Sequence, residues 1–382
     1  MLRKSEKKTQ DTDYSSALKI GASQLPDYLP DLRDLKVGLV VNHTSLLGER
    51  HLVDTLLSLG IQVKKVFAPE HGFRGNADAG EQVSNSTDIQ TGLPIISLYG
   101  KNKKPEPTQI EDLDVLIFDI QDVGVRFYTY ISTMHLVMEA CAENKKHFIV
   151  LDRPNPNGAY VDGPIRKEAY TSFVGMHPIP IVHGLTVGEL ALMINGEGWL
   201  HNSLKCDLKV VKNRFYRHDI PYSLPVKPSP NLPNDLSIAL YPSLCLFEGT
   251  QISVGRGTEF PFQVIGAPQP NLGNFKFIPE SIVGMSKNPL YKGETCYGVD
   301  FRRRSVPRAF TLEYLIDFYK KYKNKPKFFN GYFDTLAGTD DLRRQIESGL
   351  NENQIRKTWE KPLMEYMEMR KKYLLYPDNS AQ

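Results

Sequence analysis

The chain reads as an α/β protein, with a doubly wound, mainly parallel sheet followed by a second, smaller α/β domain. Three observations predict this. In the first half, short strand-like runs alternate with stretches of helical spacing, the pattern of repeated βαβ units. Some of those runs, above all "LDVLIFDI" at 113–120, are apolar without alternation, as strands buried on both faces require. The 382 residues suffice for about two domains at roughly 100–200 residues each. The expected division is a polar, disordered start at 1–17, a first domain at 18–225 and a second at 226–378.

Taken in order, "KVGLVVN" (36–42) is a strand, and "RHLVDTLLSLG" (50–60) is a helix closed by Gly60. "IQVKKVFAP" (61–69) and "LPIISLYG" (93–100) are strands, as is 113–120. Apolar residues spaced by three and four make "YTYISTMHLVMEACAENK" (128–145) a helix, and "HFIVLD" (147–152) returns as a strand. "TVGELALMINGEGWL" (186–200) opens on a capping box, Thr186 with Glu189, and "CDLKVVK" (206–212) is again a strand. The Pro-rich "IPYSLPVKPSPNLPNDLS" reads as an extended connector. Beyond it, the sequence predicts a strand at "ETCYGVDFR" and three helices, the last at 353–376.

Composition excludes several classes. Hydrophobic residues at 41%, charged residues at 24% and a net charge of +3 are ordinary for a soluble globular chain and leave no nucleic-acid footprint. No run of 18 apolar residues could span a membrane. Four scattered cysteines form no CxxC pair, and Cys141 and Cys245 read as buried free thiols. The nine histidines show no metal-ligand spacing, so no metal and no cofactor is expected. Neither a Walker lysine nor a GxGxxG follows any strand, which counts against a nucleotide. No GxSxG elbow is present, which counts against a hydrolase serine.

Chemistry gathers at the strand ends, where open parallel sheets bind ligands. "NHTS" follows 36–41, "PEHGFRG" follows 61–68, "DIQDVGVRFY" follows 113–118, and "DRPNPNG" follows 147–151. Glu70, at the mouth of a buried sheet, loses solvation and suits a general acid; its structural alternative is a pair with Arg74. Asp119 could orient another polar group, act as a second acid, or cap the helix that starts near 127. Arg126 could clamp an anion or pair with Asp122. His43 and His71 could meet in space and hydrogen-bond a ligand. Glu248, Arg256 and Glu259 form a further polar cluster at 247–262.

The cassettes "VVNHTS", "APEHGFRG", "DIQDVGVRFYTY", "LDRPNPNG", "HGLTVGELA", "PSPNLP", "YPSLCLFEGT" and "SVGRGTEFPFQVIGAP" occur in one order over about 20–375. Together they resemble the NamZ-type exo-β-N-acetylmuramidase family of bacterial glycoside hydrolases. The resemblance implies a Rossmann-like first domain, a cleft between the two domains, and release of terminal N-acetylmuramic acid from the non-reducing end of peptidoglycan-derived saccharides. It places the proposed acid of that family on Glu70. It puts Asn42, His43, His71, Arg74, Gln121, Asp122, Arg126, Tyr128, Arg153 and Asn155 around the cleft, with Asn231, Glu248 and Arg256 from the second domain. For the second carboxyl group of a glycosidase, Asp122, Asp119 and Glu248 are candidates in that order. The lactyl carboxylate of muramic acid calls for a cation, which Arg126, Arg153 or Arg256 could supply. A non-catalytic protein that binds cell-wall sugars in the same cleft is the alternative. The resemblance implies a periplasmic or extracellular setting; no leader is visible at the start, which leaves the cytoplasm open.

Overall fold

The computed structural model describes residues 18–70, 72–74, 86–304 and 307–378. The polar start at 1–17 lies outside the described residues, as do His71 and Gly75. Seven strands form the main sheet: β1 (Lys36–Val41), β2 (Gln62–Ala68), β3 (Ser86–Thr87), β4 (Pro94–Ser97), β5 (Val115–Asp119), β6 (His147–Leu151) and β7 (Asp207–Val211). Their spatial order is β3-β4-β2-β1-β5-β6-β7. Only β3, at the edge, runs antiparallel to its neighbour. The other six follow the doubly wound order, and the direction of winding reverses between β1 and β5.

Successive side chains of a strand point to opposite faces, and this sheet buries both. Val37, Leu39 and Val41 of β1 pack with Val115, Ile117, Ile149 and Leu151 against helix α1 (Leu52–Ser58) and the segment 20–32. Val40, Leu116, Phe118, Phe148 and Val150 face the other way, onto helices α2 (Tyr130–Glu143) and α3 (Val187–Gly196). That second core continues without a break through Phe247, Phe301 and Phe318 to Tyr366, so both halves of the chain share it. Gly38 of β1 suits this packing: a Cβ there would lie 2.6 Å from Leu113 Cδ1 and 3.1 Å from Phe67 Cε2, so those side chains would have to shift. The expected capping box at Thr186 is present, with its hydroxyl accepting from the Glu189 N–H at 3.2 Å.

The second half departs from expectation in its helices. The last three residues of the expected connector open helix α4 (Asp235–Leu244), which starts just after Pro233, where Asn234 caps the Ser237 N–H. Beyond it, strands β8 (Val264–Ala267), β9 (Phe275–Phe277) and β10 (Cys296–Asp300) form a small antiparallel sheet in the order β8-β10-β9. Five α-helices follow among the described residues instead of three: Glu313–Lys321, Phe333–Ala337, Asp341–Glu347, Glu352–Lys357 and Glu360–Lys371. The expected single helix at 353–376 breaks near Trp359. Pro362 lacks an N–H and its ring would crowd the carbonyl four residues back, so it sits in the first turn of a new helix.

Candidate active site

The strand register lines up the carboxyl ends. Val40 lies beside Phe67 and Val41 beside Asp119. Asn42, Glu70 and the turn 120–124 therefore occupy one edge of the sheet, across β2, β1 and β5. Thr44 ties two of these turns together. Its hydroxyl donates to Asn42 Oδ1 at 2.6 Å and accepts the Gln121 N–H at 3.0 Å.

Glu70 is half-buried within a group of tyrosines. The Tyr99 hydroxyl is hydrogen-bonded to the Glu70 carboxylate; burial, with that negative charge, pushes its pKa up to about 12. Tyr130, at the start of α2, also feels Glu70, and burial raises its pKa well above the usual phenol value. Tyr332 comes from the second half and keeps 43% of its surface exposed. Burial, with the charges of Glu248 and Glu70, pushes its pKa up to about 12. One exposed ring thus stands within electrostatic reach of two glutamates from distant parts of the chain. Glu248 itself is held by the Nε of Arg256, whose guanidinium also lies 5.2 Å from the Phe262 ring.

Other candidates turn out to hold the frame. Asp119 does not cap α2. It is fully buried in a two-point ion pair with Arg153, Nε to Oδ1 at 2.5 Å and Nη2 to Oδ2 at 2.9 Å. Arg126 does not pair with Asp122. It is fully buried, and its two terminal nitrogens donate to the carbonyls of Pro164, Ile179, Leu336 and Ala337. That clamp binds the two halves together, and burial lowers its pKa to about 9. Arg74 pairs with Asp88 at 2.8–2.9 Å, not with Glu70, and its guanidinium holds the Asp88 carboxyl down to about 2. The Gln121 amide donates to the carbonyls of Asp122 and Pro154. The Tyr128 hydroxyl donates to the Pro228 carbonyl at 2.7 Å, and Asn155 Nδ2 donates to Leu185 at 2.8 Å. Asn231 Nδ2 donates to the Met285 carbonyl at 3.0 Å. His43 Nε2 bonds the Lys227 carbonyl at 2.9 Å and, with Arg74, lines a hollow of about 480 Å³ beside α1. A meeting of His43 with His71 falls outside the described residues.

Asp122 is different. One oxygen accepts the Gly124 N–H at 2.7 Å, and among the described residues the basic group that approaches that oxygen is His183, at 3.7 Å. His183, Tyr99, Tyr130 and Tyr332 were not singled out from the sequence. Tyr99 follows the end of β4 and was open to the strand-end argument. Tyr332 lies in a loop of the second half, and nothing in its neighbourhood marks it.

Family models for the N-terminal and C-terminal parts of exo-β-N-acetylmuramidase NamZ match residues 37–236 and 239–376. The chain belongs to the NamZ family. It is 41% identical over 377 residues to peptidoglycan β-N-acetylmuramidase NamZ of Bacillus subtilis (strain 168), covering 92% of this chain and 89% of that one. Two crystal structures of DUF1343 family proteins from Bacteroides fragilis NCTC 9343 share its fold. One superposes with a TM-score of 0.89 at 46% identity, covering 95% of this chain and 99% of the other. The second gives 0.77 at 30% identity, covering 94% and 99%. The NamZ match spans the sheet edge that carries Glu70 as well as the Glu248–Arg256 pair.

Proposed function

We propose that this glycosidase releases terminal β-linked N-acetylmuramic acid from the non-reducing end of peptidoglycan-derived saccharides, with Glu70 as general acid. The observation that carries the reading is the placement of Glu70 at the carboxyl edge of a parallel sheet, where such sheets bind ligands, with the exposed Tyr332 ring within its electrostatic reach. A sugar has an apolar face as well as hydroxyls, and an exposed tyrosine offers surface to the first and a hydrogen bond to the second. The name of the Bacillus relative supports the substrate class.

The other roles follow from what each group already holds. Asp119 is neutralised by Arg153 and Glu248 is held by Arg256, which leaves Asp122 as the candidate second carboxyl group. Among the three arginines considered for the lactyl carboxylate, the Arg126 and Arg153 side chains are 0% and 3% exposed, against 29% for Arg256. Arg256 is therefore the proposed clamp.

Glu70→Gln tests the acid. On the muramyl–glucosamine disaccharide, kcat should fall by about 10²–10⁴-fold. On a 4-nitrophenyl β-muramoside the loss should be smaller, since nitrophenolate leaves without a proton. Equal losses on both substrates would remove Glu70 from the acid role. Binding of the disaccharide by the native chain with no product formed would favour the non-catalytic alternative.

A further inference from the structure

Three polar atoms near Glu70 are buried and lack a hydrogen-bond partner among the described residues: Asn42 Nδ2, Tyr130 Oη and Asp122 Oδ1. They belong to one place. Asn42 and Asp122 follow adjacent strands, joined through Thr44 and Gln121. The Tyr130 hydroxyl lies near the Asn42 amide and the Tyr128 hydroxyl without completing a bond of good geometry to either, in the field of both Glu70 and Asp122. An unmade hydrogen bond costs about 1–3 kcal/mol for each buried group. Native proteins seldom leave three together unless water or a ligand completes them.

Asp122 is held ready. His183 Nδ1 accepts the Leu185 N–H at 3.2 Å, so the ring proton sits on Nε2, which faces Asp122 Oδ2 at 3.7 Å, too far for a hydrogen bond, and is itself left without a partner among the described residues. The Gly124 N–H fixes the same oxygen. Oδ1 is left over, and no lysine or arginine forms an ion pair with Asp122 among the described residues. The set comprises a carboxylate acceptor, an amide donor and a hydroxyl. That is the complement of a secondary amide, whose N–H would go to Asp122 and whose carbonyl would go to Asn42 and Tyr130. N-acetylmuramic acid carries such an amide on C2, next to the carbon where the glycosidic bond breaks.

Resting on the muramidase reading above, we propose that these three residues hold the 2-acetamido group of the substrate and that this group is the nucleophile. As Glu70 gives its proton to the leaving oxygen, the C1–O bond to the aglycone breaks and the acetamido carbonyl oxygen bonds to C1. Positive charge develops on the amide nitrogen, and Asp122 stabilises it by accepting the N–H. Water then attacks C1 and gives a proton to the Glu70 carboxylate, the ring bond to C1 opens, and the amide is restored. One water is consumed, and two inversions at C1 leave the released sugar in the β form. The scheme needs no protein carboxylate in contact with C1, in line with the engagement of Asp119 and Glu248 elsewhere. His183 is a positioning residue, acting through Asp122.

Two measurements on the native chain test this. Proton NMR of the first-formed sugar from 4-nitrophenyl β-N-acetylmuramide should show the β anomer, and the rate should fall by more than about 10²-fold as the acetyl group is changed stepwise to trifluoroacetyl. Release of the α anomer, or a rate insensitive to fluorine, overturns the proposal while leaving the muramidase reading intact. No hydrolysis of any muramoside overturns both. Asp122→Asn should lower kcat about 10²-fold with KM within about 3-fold, and should flatten the fluorine dependence. His183→Leu should lower kcat in the same way, and His183→Gln, which restores an N–H toward Asp122, should recover most of it. A His183→Gln variant as impaired as His183→Leu would remove His183 from the positioning role.

Discussion

Replacing Arg153 with methionine separates two roles that the sequence leaves together, substrate clamp and structural partner. Asp119 is fully buried, and both its oxygens accept from the one guanidinium. Methionine fills much of the volume but supplies no charge, so a bare carboxylate stays in the interior. Removing one member of a buried pair costs about 3–5 kcal/mol. At about 2.1 cal/mol/K per residue, a chain of this length unfolds with an entropy of roughly 0.8 kcal/mol/K, which makes the expected fall in Tm ~4–6 °C. Asp119→Asn combined with Arg153→Met removes the stranded charge and should recover part of that loss. Calorimetry reads the Tm, and steady-state kinetics on a 4-nitrophenyl β-muramoside read KM, expected to stay within about 3-fold. An unchanged Tm with KM raised about tenfold or more would refute the structural role and return Arg153 to the lactyl carboxylate.

Tyr332→Ala should raise KM by about 5–30-fold, roughly 1–2 kcal/mol of lost ring contact, with little change in Tm because the side chain is partly exposed; an unaltered KM would remove the ring from the binding surface. Burial, reinforced by Glu189 and opposed by hydrogen bonds from Tyr376, Gly188 and Thr186, raises the Asp152 carboxyl from 3.8 to about 7. Between about pH 4 and 7 the folded chain therefore binds more protons at Asp152 than the unfolded chain, and stability falls as pH rises through that window. Asp152→Asn should flatten the Tm-against-pH curve there, and an unchanged slope would place the titrating group elsewhere. Arg126→Met strips donors from four carbonyls that join the two halves and should cost at least about 3 kcal/mol. A folded variant with native Tm and a selectively raised KM would instead mark Arg126 as a ligand clamp.

The sheet was legible because its strands are buried on both faces and so read as unbroken apolar runs, 113–120 most clearly. The edge where the candidate residues gather was legible for the same reason, since a polar residue directly after such a run has to lie at the strand's end. The partner of each charge was not legible. Arg74 has Glu70 four residues away but bonds Asp88, fourteen residues on, while Arg126 reaches carbonyls more than two hundred residues away. Helix α4 was hidden by Pro233 just before its cap and by Pro242 within it. Tyr332 escaped because an exposed tyrosine in a loop has no pattern of its own and takes its meaning from Glu70 and Glu248, which only folding brings near.

Why so many polar residues of the motifs prove structural follows from where they sit. The carboxyl edge of a doubly wound sheet is covered here by the second half of the chain, so loops that would elsewhere be solvated lie in an interior shared by both halves. Each buried N–H or carbonyl there must find a partner. Gln121, Asn155, Arg126 and Tyr128 are those partners, each spending its donors on backbone carbonyls. A motif dense in such residues therefore marks the place where a site can exist without saying which members react. The distinction lies in what is left over once the frame is satisfied. At this edge that remainder includes one oxygen of Asp122, the amide nitrogen of Asn42 and the hydroxyl of Tyr130, with Glu70 beside them.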